Sequence, residues 1–141
     1  MTEQPQPPFP FIHHVTLLVS DFKASERFYA AALAPLDVSI QAYEGNAAEL
    51  WRSDADTPSF GMYTAPTPQE ATRGLHVAFT ARSRAEVDAF HKAALESGGT
   101  EREAPRLWPE YRAYCSFVND PDGNNVEAVF KEEKEEEEEE E

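Results

Sequence analysis

His14, His76 and Glu127 are the residues of this 141-residue chain whose types and placement point most directly to chemistry. Two neutral imidazoles and one carboxylate suit a divalent ion, with Fe, Mn, Zn and Ni not distinguished, and leave coordination positions open for a substrate. An ion held in this way acts as a Lewis acid, or binds dioxygen when it is iron. Taken singly, the residues have ordinary alternatives: half-buried histidines are common, and a strand glutamate can pair with an arginine or face solvent. Their positions in an internal repeat favour the common site. Shifting the chain by 62 residues lays His14-Val15 on His76-Val77, Phe28 on Phe90, and Ala31-Ala32-Leu33 on Ala93-Ala94-Leu95, without a gap.

Strand alternation decides which way each candidate points. Residues 12–20, IHHVTLLVS, and 74–80, GLHVAFT, read as equivalent strands. In the first, His13, Val15, Leu17 and Val19 share one face and His14, Thr16 and Leu18 the other. In the second, Leu75, Val77 and Phe79 oppose His76, Ala78 and Thr80. The bulkier faces should meet helices, which puts both His14 and His76 on the cleft side. Along 125–130 the same logic turns Val126, Ala128 and Phe130 to the helices and Glu127 to the cleft. A carboxylate in the middle of an apolar strand needs a partner, because an unpaired buried charge costs several kcal/mol. A metal ion would be one. If the halves pack about a pseudo-twofold axis, the two imidazoles approach each other across a shared cleft.

Each leading strand is followed by an amphipathic helix. Asp21 caps the first, and Ser83 with Glu86 forms a capping box for the second. Phe22, Phe28, Tyr29, Ala32 and Leu33 give one helix its apolar face; Val87, Phe90, Ala94 and Leu95 serve the other. Pro35 limits the first helix and Gly98-Gly99 ends the second. Three shorter strands come after each helix, at about 36–43, 47–52 and 59–64, then at about 100–104, 111–119 and 125–130. Asp120-Pro121-Asp122-Gly123-Asn124 makes the tight turn between the last two. The predicted fold is α+β: two βαβββ modules, about 11–65 and 74–131, forming curved mixed sheets around a cleft in a single 11–131 domain.

Other residues read as support. Tyr63, Tyr111 and Tyr114 fall on candidate strands, where they would line the cleft and donate or relay a proton, core or rim packing being the commoner role for a tyrosine. Trp51, Trp108 and Met62 suggest an apolar wall. His13 reads as structural, on the face opposite His14, and His91 as a residue of the helix surface. Cys115 has no base beside it in sequence and reads as a small core residue.

Composition narrows the function classes. The formal charge is −15, of which the last ten residues, EEKEEEEEEE, account for −8. Repulsion from a polyanion argues against nucleic acid. Residues 1–10, with four prolines, read as an extended arm, and 132–141 as a disordered acidic tail. No stretch is long and apolar enough for a membrane span, and the first twenty residues lack the pattern of a leader. One cysteine allows no internal disulfide, which fits a reducing, cytoplasmic setting.

The segments FIHHVTLLVSDFKASERFYAAAL, GLHVAFTARSRAEVDAFHKAAL and AYCSFVNDPDGNNVEAVF resemble the vicinal oxygen chelate superfamily, over residues 11–131. That superfamily includes glyoxalase I, extradiol dioxygenases and bleomycin-resistance proteins. The D-P-D-G-N-x-x-E run, a tight turn that delivers Glu127, is its most telling element. The resemblance implies paired modules around a cleft, with metal ligands at His14, His76, Glu127 and a fourth position near Gly61. Residues 59–64, SFGMYT, hold no His, Asp or Glu, so the four-ligand set of glyoxalase I is incomplete. The resemblance further implies a metal-dependent enzyme, a dioxygenase or lyase, acting on a small molecule with adjacent oxygen atoms. The other reading is a non-catalytic protein that sequesters a small molecule, as bleomycin-resistance proteins do. A homodimer is expected, with the cleft built either within one chain or between two.

Overall fold

The two stretches that repeat at 62 residues fold alike. The computed structural model describes residues 10–55 and 59–133; the expectations for the proline-rich arm and for most of the acidic tail concern residues outside that range. The first module runs β1 (Val15–Val19), α1 (Phe22–Leu33), β2 (Val38–Glu44), β3 (Ala47–Arg52) and β4 (Phe60–Thr64). The second runs β5 (His76–Thr80), α2 (Arg84–Glu96), β6 (Thr100–Trp108), β7 (Ala113–Asn119) and β8 (Asn125–Lys131). The sheets are ordered β1-β4-β3-β2 and β5-β8-β7-β6. In each, the leading strand pairs in parallel with the last, and the remaining pairs are antiparallel. These are the expected βαβββ modules and mixed sheets of an α+β fold. No helix among the described residues is long and apolar enough to cross a membrane.

Local chemistry sets the helix limits. The Asp21 carboxylate accepts from the Ala24 N–H at 3.2 Å, and the Ser83 hydroxyl accepts from the Glu86 N–H at 3.1 Å. Glu86 reaches back to the Arg82 N–H, one residue before its usual capping-box partner. The buried stripe of α2 is Val87, Phe90, His91 and Ala94. His91 is therefore on the core side of the helix, not on its surface, and its Nε2 lies 2.7 Å from Glu101 Oε1. Leu95 takes the exposed position instead. Spacing alone allows either residue beside Ala94; the Glu101 partner on β6 favours the imidazole.

Among the strand limits that differ from expectation, three change where candidate residues stand. β1 begins at Val15, which leaves both His13 and His14 just ahead of it. β6 extends to Trp108 because Pro105, which has no N–H to give, falls within a register shift between Glu103 and Arg106 on an edge strand. β7 starts late, at Ala113, because Pro109–Tyr111 forms a 3₁₀ turn closed by Arg112 at φ 49°.

Both helices and the helix-facing sides of both sheets share one core, with Phe28, Tyr29, Leu33, Phe90, Val118 and Val126 fully buried. Gly99 of the second module packs directly against Phe28 of the first. A Cβ there would stand 2.6 Å from the Phe28 ring and 2.9 Å from the Ala94 carbonyl.

The turn 120–124 ties the modules together. Asp120, 5% exposed, accepts from the Tyr29 hydroxyl at 2.5 Å, from the Asp122 and Asn124 N–H groups at 2.9 Å each, and from Asn124 Nδ2 at 3.0 Å. Asp122 receives the Ser20 N–H at 3.1 Å and the Ser20 hydroxyl, while Asn124 accepts from the Leu75 N–H and donates to the Thr72 carbonyl. Burial, then the Asp120 charge, raises the Tyr29 phenol well above its ordinary value.

Substitutions at these two contacts should be felt in stability. Gly99→Ala forces backbone and ring apart and should lower the urea unfolding free energy by about 2 kcal/mol. Tyr29→Phe removes a hydrogen bond to a charged group and should cost about 2 kcal/mol near neutral pH. Because the folded phenol titrates above the unfolded one, its contribution is present below about pH 10 and is lost as pH rises further. Unfolding series from about pH 8 to about pH 11 should show Tyr29→Phe with a flatter alkaline decline than wild type.

Candidate metal-binding site

Sheet register explains why two of the three candidate ligands meet. Ala78 on β5 stands opposite Glu127 on β8, so His76, two residues earlier, projects from the same face of the adjacent strand. His76 Nε2 and Glu127 Oε1 are 2.8 Å apart. The Glu127 side chain is 12% exposed and the imidazole 52%, so the pair is a sheltered carboxylate with a half-exposed imidazole over it. Two ligands of one ion keep a separation of about 3.0–3.4 Å when each bond is about 2.0–2.2 Å. The pair therefore needs to open by only a few tenths of an ångström to admit a divalent metal, and an N,O donor set fits one.

An aromatic floor extends from this pair. The Phe117 ring is 6.0 Å from His76, Trp108 is 5.8 Å from Phe117, and the Arg106 guanidinium lies 3.3 Å from the Trp108 ring centroid. The Trp108 Nε1 is buried and has no hydrogen-bond partner among the described residues. Cys115, on the same face of β7, is 4% exposed. Burial, with the Glu127 carboxylate adding to it, pushes its thiol up to about 12, which leaves it without nucleophilic character at neutral pH.

His14 is not at this pair. It belongs to the first sheet, where it lines a pocket of about 140 Å³ with His13, Thr16, Glu49, Gly61 and Tyr63. His13 is thus beside His14 and not on the far face: the two lie outside the strand, so alternation does not separate them, and their Nδ1 atoms are 2.8 Å apart. That contact engages His14 Nδ1 and leaves Nε2 as the atom available to a ligand. The shared core is formed by the helix-facing sides of both sheets, whereas His14 and the His76–Glu127 pair are on the other sides. Within one chain, the described residues bring no three His, Cys, Asp or Glu side chains close enough for a metal.

The tyrosines separate as well. Tyr63 lines the His14 pocket. Tyr111 is 64% exposed in the 3₁₀ turn before β7. Tyr114 faces α2, where its hydroxyl donates to Asp88 at 2.7 Å and Arg84 lies over its ring; the Asp88 bond raises its phenol. It is on the side of β7 away from Glu127. Met62 is wholly buried in the core, not part of a cleft wall. Glu49 is the pocket residue that the sequence motifs do not single out. Alternation along 47–52 contains the signal, since Ala48 and Leu50 are the buried pair and Glu49 must project opposite them.

The family model described as the Glyoxalase/Bleomycin resistance protein/Dioxygenase superfamily matches residues 11–128. The uncharacterized protein YaeR of Escherichia coli (strain K12) is 28% identical over 125 residues, which covers 82% of this chain and 92% of that protein. Among solved structures, a glyoxalase/bleomycin resistance protein from Albidiferax ferrireducens T118 is 30% identical with a TM-score of 0.72, covering 84% of this chain and 96% of that one. Glyoxalase I from Zea mays shares the fold at a TM-score of 0.64 and 24% identity, with 84% of this chain covering 45% of that one. With its paired βαβββ modules and this match over nearly the whole described chain, the protein belongs to the glyoxalase/bleomycin resistance protein/dioxygenase superfamily.

Proposed function

We propose that this protein binds a divalent metal ion through His14, His76 and Glu127 and acts as an enzyme on a small molecule with adjacent oxygen atoms, the centre forming between two copies of the chain. The observation that carries the reading is the His76–Glu127 pair, a nitrogen and an oxygen 2.8 Å apart on neighbouring strands. The ion would supply Lewis acidity toward the substrate oxygens. His14 completes the donor set only from a second chain, because in its own chain it lines a different pocket. A homodimer in which the first sheet of one chain faces the second sheet of the other satisfies that requirement.

The remaining residues divide the work of recognition. Trp108 and Phe117 present an apolar wall for the carbon part of the substrate. Tyr63, beside His14, is the tyrosine suited to hold or move a proton at its hydroxyl. A buried lone cysteine suits the reducing cytoplasm.

The same aromatic wall supports a second reading, sequestration of a small aromatic compound without turnover. Ligand affinity that a chelator leaves unchanged would favour it over the metal-dependent enzyme.

Elemental analysis of the purified, metal-reconstituted protein should find about one divalent ion per chain, and His76→Ala or Glu127→Gln should weaken binding on the order of 100-fold. Retention of metal by both variants at wild-type affinity would sink the proposal. A shared centre also governs what mixing does. His14→Ala and His76→Ala chains, each defective alone, should after subunit exchange regain about a quarter of the wild-type sites, since half the dimers are mixed and each mixed dimer holds one complete site. No recovery in dimers shown to have exchanged would place the centre within one chain.

A further inference from the structure

The repeat makes Gly61 the counterpart of Glu127: Thr16 stands opposite Gly61 in the first module, as Ala78 stands opposite Glu127 in the second. The first module therefore offers an imidazole, His14, with no carboxylate on the neighbouring strand. One strand further on, Glu49 stands opposite Gly61 and projects from the same face. Its side chain leans over the glycine, with its Cγ 3.9 Å from where a Gly61 Cβ would be. His14, Glu49 and Gly61 line one pocket.

Nothing else in the fold accounts for Glu49. It is half-buried, with the core residues Ala48 and Leu50 on either side, yet it makes no hydrogen bond or ion pair among the described residues. Arg52, the cation on the same strand, directs its donors to the Leu36 and Thr80 carbonyls instead. The Glu49 carboxylate oxygens are not buried, so they stay open to the pocket that His14 also lines. Two imidazoles and one carboxylate leave a divalent ion with a net positive charge, which a second carboxylate cancels.

We infer that Glu49 supplies the carboxylate missing at Gly61, reaching from β3 across the glycine to the metal that His14 helps to hold. This rests on the metal centre proposed above, and it assigns the fourth protein donor to a different strand from the one the repeat indicates.

Mn(II) titration of the full-length protein, followed by electron paramagnetic resonance and water-proton relaxation, tests this without any substrate. Glu49→Gln should bind Mn(II) at least about tenfold more weakly and carry about one more exchangeable water on the ion, with an unchanged melting temperature because the side chain has no protein partner. Adding Gly61→Glu to Glu49→Gln should restore affinity to within about threefold. The substitution is sterically tolerable, since a Cβ at 61 meets only ordinary contacts at 3.6 Å and beyond. Wild type that binds Mn(II) and Glu49→Gln that binds it equally well would overturn the inference alone. Weakened binding that Gly61→Glu fails to rescue would overturn the replacement of one carboxylate by the other. Wild type that takes up no Mn(II), Fe(II), Zn(II) or Ni(II) would remove the metal centre and this inference together.

Discussion

The buried carboxylate of Asp120 is the constraint on which the rest of the molecule hangs. It sits at the mouth of the β7–β8 hairpin and accepts from four donors, one of them the Tyr29 hydroxyl of the other module. A charge so placed is tolerable only while fully bonded, so the turn has one acceptable geometry and α1 must lie against it. That fixes where β8 begins, and Glu127 comes three residues after Asn124. The nearby Asp122 binds Ser20 at the end of β1, and Asn124 holds the approach to β5. One pentapeptide thus sets the strands of the second module that carry His76 and Glu127 and anchors them to the first.

Duplication accounts for the symmetry, and the two modules depart from it at the candidate site. Both modules place a histidine at, or one residue ahead of, the start of the leading strand and pair that strand in parallel with the last. The second keeps a glutamate on the last strand, where it bonds the histidine; the first has a glycine there, and its acidic group stands on the middle strand. The nearest carboxylates therefore differ in position: Glu127 is one strand away from His76, and Glu49 is two strands away from β1.

Much of this is legible in the sequence because strand alternation and helix capping are local. The Asp21 and Ser83 caps and the facing of His76 and Glu127 depend on neighbours within one module, and the 62-residue shift shows both modules following one pattern. What alternation cannot say is how two sheets pack. It assigns His14 and His76 to the sides away from the helices, but the shared core of Phe28, Phe90 and Val126 decides that those sides do not close on each other within one chain. His13 escapes it for a related reason, since period-two reasoning does not extend ahead of Val15, where the strand begins. His91 and Leu95 are both compatible with a helical stripe, and only the position of Glu101 selects between them. Glu49 is visible by alternation but carries meaning only through its register with Gly61, a pairing that no stretch of sequence announces.

The parallel pairing within each module has a consequence for how the chain acquires its shape. A parallel neighbour cannot be reached by a tight turn, so β5 waits for β8, and the His76–Glu127 contact spans 51 positions of sequence. The intervening hairpin can form early and at little entropic cost, whereas the ladder that joins the first strand to the last closes a long loop and comes late. The His76–Glu127 pair therefore straddles the final seam of the module. An ion held there would act as a rivet across that seam, resisting the opening motion that begins to undo it.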